Sequence, residues 1–227
     1  MSSPVLAVVF DLDDTLFLQA TYLELVLDHV ADLAQERGID RERFRASLGT
    51  VAAQGSDRGG VIDRALAEIG STLDPAPLIT GFRDFRPDQL SLLPGAAETL
   101  ERLAAVVPIG CITDGDPGIQ RGKLKALGLE GRFDVLVLSD ELGRMHRKPD
   151  PAPFERALAE LGRAPHEVVM VGDRPEKDIV GASKVGMRTV RVRTGEYRST
   201  EHPCIPWREV AEISEVSELL LPLCQRA

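Results

Sequence analysis

Three carboxylates crowd into four consecutive positions in Phe10-Asp11-Leu12-Asp13-Asp14-Thr15-Leu16, directly after an apolar run. Like charges that close repel and raise one another's pKa unless a cation neutralises them. The segment is therefore either a solvated acidic turn or one wall of a charged site. Three other segments favour the site. Ile112-Thr113-Asp114-Gly115 offers a hydroxyl beside a carboxylate. Val171-Gly172-Asp173 offers another acid, with Asp178 five residues on. Arg147-Lys148-Pro149-Asp150-Pro151 sets a lysine beside two prolines at the entry to a helical pattern.

The elements that would carry these groups follow from hydrophobic periodicity. Short Val-, Ile- and Leu-rich runs at 5–10, 107–112, 133–138, 167–171 and 188–192 read as strands. Between the later runs the period changes. Phe154, Ala157, Leu158 and Leu161 fall on one helical face, as do Ala96, Leu100 and Leu103. Asp116-Pro117 reads as an N-cap followed by proline at the first helical position. Near-continuous apolar strands alternating with helices predict a doubly wound, Rossmann-like α/β fold, its parallel sheet covered on both faces. Ligands of such sheets bind outside the carboxyl ends of the strands, where Asp11, Thr113 and Asp173 would meet.

The rhythm breaks between the first two runs. Nearly a hundred residues separate Asp11 from Val107, far more than a crossover requires. Leu23, Val26, Leu27, Val30, Ala31 and Ala34 form one stripe, and further helical patterns run through 41–53, 59–70 and 75–83. This predicts an all-helical domain of four or five helices over 17–89, inserted into an α/β core formed by 1–16 and 90–227. Beyond 192, a loop-like stretch precedes an edge strand at Val210–Ile213 and a last helix over 215–223.

Composition bounds the partners. The chain has 227 residues, 27 Lys+Arg against 36 Asp+Glu and a formal net charge of −9. With 43% apolar and 28% charged residues it is expected to be globular and soluble. An acidic balance argues against nucleic acid or an anionic membrane as partner. Three cysteines without metal-ligand spacing, and a first apolar run too short for a leader or a span, lead us to expect a cytoplasmic protein.

The four signatures Asp11-Leu-Asp13-Asp-Thr15, Thr113, Lys148 and Gly172-Asp173-x-x-x-x-Asp178, in that order, resemble those of the haloacid dehalogenase (HAD) superfamily. The helical insertion after the first of them is similar to the type-one cap of its phosphatase and phosphomutase branch. The resemblance implies a Mg²⁺-dependent phosphatase of a small phosphorylated metabolite, a sugar phosphate for example. Asp11 would be the nucleophile that forms an aspartyl-phosphate. Asp13 would protonate the leaving alcohol and later activate water. Mg²⁺ would be held by the Asp11 carboxylate, the Asp13 backbone carbonyl and Asp173. Thr113 would donate a hydrogen bond to a phosphoryl oxygen, Lys148 would neutralise both the phosphoryl group and Asp11, and Asp114 and Gly115 complete the expected substrate-binding set. Asp178 either supports the metal from behind the direct ligands or is an ordinary acid in the first turn of a helix.

One position departs from the pattern. Asp114 stands where many relatives carry Asn, and is expected to stabilise the turn Asp114-Gly115-Asp116-Pro117 rather than to reach toward a substrate hydroxyl. In the insertion, Gln54–Gly60 reads either as a plain inter-helix loop or as a loop that closes on substrate, with Arg58 as its candidate cation. His29, His146, His166 and His202 read as surface or packing residues, and Cys111 as a small buried hydrophobe. Three rivals stay open. A phosphomutase would keep every core residue, a 2-haloacid dehalogenase would not need Asp13, and a phospho-acceptor module would lack the insertion. The chain is expected to be a monomer or a homodimer.

Overall fold

The computed structural model describes residues 4–55 and 59–225, so Arg58 lies outside the described residues. The run Ala-Val-Val-Phe has no polar face, and it forms a central strand, β1 (Ala7–Phe10), every residue of which is buried. Four more apolar runs form β2 (Ile109–Thr113), β3 (Val135–Leu138), β4 (Val168–Gly172) and β5 (Arg188–Val192). A short edge strand, β6 (Arg208–Val210), completes a six-stranded sheet in the order β3-β2-β1-β4-β5-β6. All five pairings are parallel. The edge strand begins two residues earlier than the apolar pattern Val210–Ile213 suggests, because Ile213 already packs at the start of the last helix.

The helices in chain order are α1 (Gln19–Gln35), α2 (Arg41–Ala52), α3 (Val61–Glu68), α4 (Ala76–Asp84), α5 (Ala96–Ala104), α6 (Pro117–Ala126), α7 (Ala152–Leu161), α8 (Val180–Lys184) and α9 (Ser214–Leu220). Ala7 and Val9 of β1 pack with Val168 and Met170 of β4 against Phe154, Ala157 and Leu158 of α7. Successive strand residues point to opposite faces. Val8 and Phe10 are also fully buried, so helices must cover the second face as well. The Thr99 hydroxyl of α5 donates to the Ile213 carbonyl at 3.1 Å, fastening α5 to the start of α9. Asp116 caps α6 by accepting the Gly118 and Ile119 N–H groups at 2.9 and 3.1 Å, with Pro117 at the first helical position.

The chain divides into two compact units, residues 1–19 with 89–227, and 20–88. The first unit reaches three residues past the boundary expected at residue 16, for a local reason. Phe17 is fully buried, its carbonyl accepts the Asp14 N–H at 2.8 Å, and the Gln19 N–H donates to the Asp14 carboxylate at 2.9 Å. The second unit is a four-helix body among the described residues. Leu27, Val30, Ala31 and Ala34 of α1 close on Phe44, Leu48 and Val51 of α2, Ile62, Ala65 and Leu66 of α3, and Leu78 of α4. Leu23, part of the expected stripe, is only half-buried, and Tyr22 takes the buried position beside it.

Phe154 joins α7 to the sheet and leaves no room for change. A Cβ added at Gly181 would meet its ring at 2.4 Å. Truncation of so large a buried side chain leaves a cavity the core cannot close. Phe154→Ala is expected to lower the stability of the α/β unit by about 3–5 kcal/mol in urea unfolding. A loss below about 1 kcal/mol would contradict this packing.

Candidate active site

The parallel register brings the charged segments to one edge. Phe10 pairs with Cys111 on one side and Val171 on the other, so β1, β2 and β4 end together. The sheet order reverses direction around β1, which opens a crevice at that edge. Asp11 follows β1 immediately, its N–H donating to the Val171 carbonyl at 2.9 Å. Thr113 ends β2, and Asp173 follows β4.

Asp11, Asp173 and Asp178 form a buried cluster in which one carboxylate oxygen from each lies within 4.8 Å of the others. Asp178 sits in a π-helical turn, Pro175–Ile179, and not in the first turn of a regular α-helix. It accepts the Arg174 N–H at 3.0 Å and is wholly buried. Gly172 makes room for it, since a Cβ there would lie 2.4 Å from Asp178 Oδ2. Among the described residues one ammonium serves the cluster. Lys148 Nζ pairs with Asp11 Oδ1, donates to Asp178 Oδ1 at 2.7 Å and lies 3.3 Å from the Ile112 carbonyl. The Thr15 hydroxyl is 3.2 Å from Asp173 Oδ1 and 3.5 Å from Asp11 Oδ2, close enough to donate to one at a time.

Burial of this much negative charge has consequences. Burial pushes the Asp11 carboxyl up to about 7 against the pull of Lys148, with Asp178 and Asp13 adding to the rise. Asp173 is pushed well above the usual carboxylate range, first by burial and then by Asp178 and Asp11. Burial alone would lower the Lys148 ammonium, but Asp11, Asp178 and Asp114 outweigh it and hold it well above its ordinary value.

The cluster fits a cation. When ionised, three carboxylates face one ammonium, which leaves two formal negative charges uncompensated. Asp173 Oδ2 is buried with no hydrogen-bond partner, although buried polar atoms are nearly always satisfied. An all-oxygen donor set suits a hard divalent ion such as Mg²⁺.

The remaining expected residues lie around this cluster. Thr113 is fully buried, and Gly115 stands in the turn that follows it with φ 127°. Asp114 does not serve its own turn, which Asp116 caps. Its Oδ1 accepts the Ser139 hydroxyl at 2.7 Å and the Lys148 N–H at 3.1 Å, and Lys177 Nζ stands 3.5 Å from its Oδ2. An acid at this position therefore anchors the backbone that carries Lys148. Asp14, the third of the crowded carboxylates, is also structural. It holds φ 60°, accepts the Gln19 and Glu196 N–H groups and receives the Thr194 hydroxyl on its carbonyl. The Asp13 carboxylate is held by α6, with Oδ1 2.7 Å from Lys123 Nζ and Oδ2 2.9 Å from Gln120 Nε2. Sequence reasoning missed both partners on α6. Their i, i+3 spacing after the capped start of the helix was the available signal.

The fold is α/β, and the charged residues gather outside the carboxyl ends of the central parallel strands. A family model described as haloacid dehalogenase-like hydrolase matches residues 5–186, and the chain belongs to that family, in its phosphatase branch. It is 34% identical over 204 residues to a glyceraldehyde 3-phosphate phosphatase of Methanopyrus kandleri, covering 86% of this chain and 87% of that protein. It is 36% identical over 165 residues to a phosphoserine phosphatase of Thermus thermophilus, covering 71% and 64%. A crystal structure of a HAD phosphatase from Thermococcus onnurineus matches with a TM-score of 0.67 at 28% identity, covering 98% of this chain and 100% of that one.

The raised carboxyls fix the sign of a pH effect. From Asp11's ordinary value of 3.8 up to about 7, the folded protein keeps a proton that the unfolded chain has lost. Asp173 acts in the same direction. Without divalent ions this contribution falls as pH rises through that window, so Mg²⁺ should raise the melting temperature more at pH 8 than at pH 5. Asp173→Asn should raise the metal-free midpoint at pH 8, by about 2–4 °C for each kcal/mol relieved, and remove the Mg²⁺ response. A Mg²⁺ shift that is equal at both pH values, or that survives the substitution, would contradict this account.

Proposed function

We propose that the enzyme hydrolyses a small phosphomonoester through an aspartyl-phosphate on Asp11, with Mg²⁺ as its cofactor. The observation that carries this reading is the convergence of Asp11, Asp173 and Asp178 on Lys148, where ionisation of all three carboxylates leaves two negative charges that Lys148 does not offset. An anionic substrate cannot approach such a cluster without a cation. Mg²⁺ held by these carboxylates and by the Asp13 carbonyl would cancel their charge and polarise the phosphoryl oxygens.

The residues then divide the work. An Asp11 carboxylate oxygen attacks phosphorus, the bond from phosphorus to the ester oxygen breaks, and the bonding pair leaves with that oxygen. A carboxyl proton on Asp13 passes to the departing alcohol. In the second half, Asp13 takes a proton from water as the water oxygen attacks phosphorus. The acyl-phosphate bond breaks, its electron pair returns to Asp11, and inorganic phosphate is released. Thr113 donates its hydroxyl hydrogen to a phosphoryl oxygen, and Lys148 orients Asp11 and offsets the phosphoryl charge.

The substrate class rests on kinship. The Methanopyrus relative is named for a three-carbon sugar phosphate, which supports a small phosphorylated metabolite here. No helix among the described residues is long and apolar enough to cross a membrane. The three cysteines are free, in keeping with a cytoplasmic enzyme.

Phosphate release from a panel of sugar, amino-acid and nucleoside monophosphates tests the proposal. Release should require Mg²⁺ and should fall at least about 1,000-fold in Asp11→Asn, the scale expected when a covalent nucleophile is removed. An isomerised monophosphate without free phosphate would identify a mutase and overturn the reading. Release that persists in Asp11→Asn would overturn the covalent route.

A further inference from the structure

The inward face of α6 carries two polar side chains where apolar ones would be expected. Gln120 is 1% exposed and Lys123 3% exposed, as deeply buried as their neighbour Leu124. Burying an ammonium and an amide is costly unless both find partners, and both find the same one. Lys123 Nζ donates to Asp13 Oδ1 at 2.7 Å and Gln120 Nε2 to Asp13 Oδ2 at 2.9 Å, so each carboxylate oxygen is held by its own donor. The second amide hydrogen of Gln120 reaches Thr113 Oγ1 at 2.5 Å. Acting there as acceptor, the Thr113 hydroxyl keeps its own hydrogen for another group.

Two further contacts fix the bridge in place. The side chain of Gln120 lies over Gly115, where an added Cβ would meet its Cδ at 3.4 Å. Lys123 Nζ stands 5.8 Å above the ring of Phe17, itself fully buried and bridged to Asp13 through the backbone. Neither side chain belongs to the Asp11, Asp173 and Asp178 cluster. Both act on the two groups that the proposed mechanism uses on the leaving-group and phosphoryl sides.

We propose that Lys123 and Gln120 are positioning residues that aim the Asp13 carboxyl group at the ester oxygen and lock that aim to the phosphoryl contact of Thr113. The inference rests on the aspartyl-phosphate reading and deepens it. In the first half-reaction the bonding pair moves from phosphorus to the ester oxygen, and that oxygen takes the Asp13 proton. Aim matters in proportion to how much the leaving oxygen needs that proton. An alkoxide leaves poorly without one, whereas 4-nitrophenolate leaves unaided. A residue that only braces the fold would affect both kinds of ester alike.

The test compares kcat/KM, which reports events up to departure of the alcohol, for an alkyl phosphate and for 4-nitrophenyl phosphate with Mg²⁺. Lys123→Met should lose about 10- to 100-fold on the alkyl ester and no more than about threefold on the aryl ester, a part of the roughly 10²–10⁴-fold that a positioned acid contributes. Gln120→Leu should show the same asymmetry, and carries the test alone if Lys123→Met does not fold. In an Asp13→Asn background, Lys123→Met should cost nothing further on the alkyl ester. Equal losses on the two esters, no loss on either, or full additivity with Asp13→Asn would overturn the inference while leaving the phosphatase reading intact. If the wild-type enzyme hydrolyses neither ester, the phosphatase reading fails and takes the inference with it.

Discussion

The site depends on an imbalance of buried charge. Three carboxylates from two segments, Asp11 after β1 and Asp173 and Asp178 after β4, converge at the strand ends with, among the described residues, one ammonium between them. Two carboxyls respond by rising in pKa, and one oxygen of Asp173 stays without a donor. A fold tolerates such a defect only where the surrounding structure fixes it and a ligand relieves it. The rest of the α/β unit serves to hold the cluster. Gly172 clears space for Asp178, Asp114 anchors the backbone of Lys148, and the β4 carbonyl of Val171 receives the Asp11 N–H.

Much of this was legible from residue order because strands of this kind are legible. The apolar runs leave little choice of where β1, β2 and β4 end, and parallel pairing then brings Asp11, Thr113 and Asp173 to one edge. Lys148 and Asp178 were readable for a different reason, as members of a spaced set in a family with a known order. The helical insertion showed itself through length and period. Its boundary was less legible, since Phe17 and Gln19 are tied to the core by contacts of Asp14 that no periodicity records.

What stayed hidden lies in side chains whose partners are distant in sequence. Lys123 stands in Gly122-Lys123-Leu124-Lys125, which reads as a solvated helix face, yet it is buried against an acid 110 positions away. Gln120 joins Asp13 to Thr113 across three elements. Asp114 was expected to stabilise its own turn and instead contacts Ser139 and Lys148, because Asp116 already caps α6. Of three neighbouring aspartates, one joins the buried cluster, one is held by α6, and one fastens a loop. Spacing alone cannot assign those fates, since they depend on which way each side chain leaves a single turn.

The charge imbalance at the strand ends is what a divalent cation would relieve. Isothermal titration of the metal-free protein with Mg²⁺ tests it most directly, with buffers of different ionisation enthalpy to count protons. The account predicts one ion bound per chain, with protons released near pH 6, where Asp11 retains its proton in the metal-free fold, and no binding in a folded Asp173→Asn variant. Absence of binding to the folded wild-type protein, or equal binding by the variant, would contradict it.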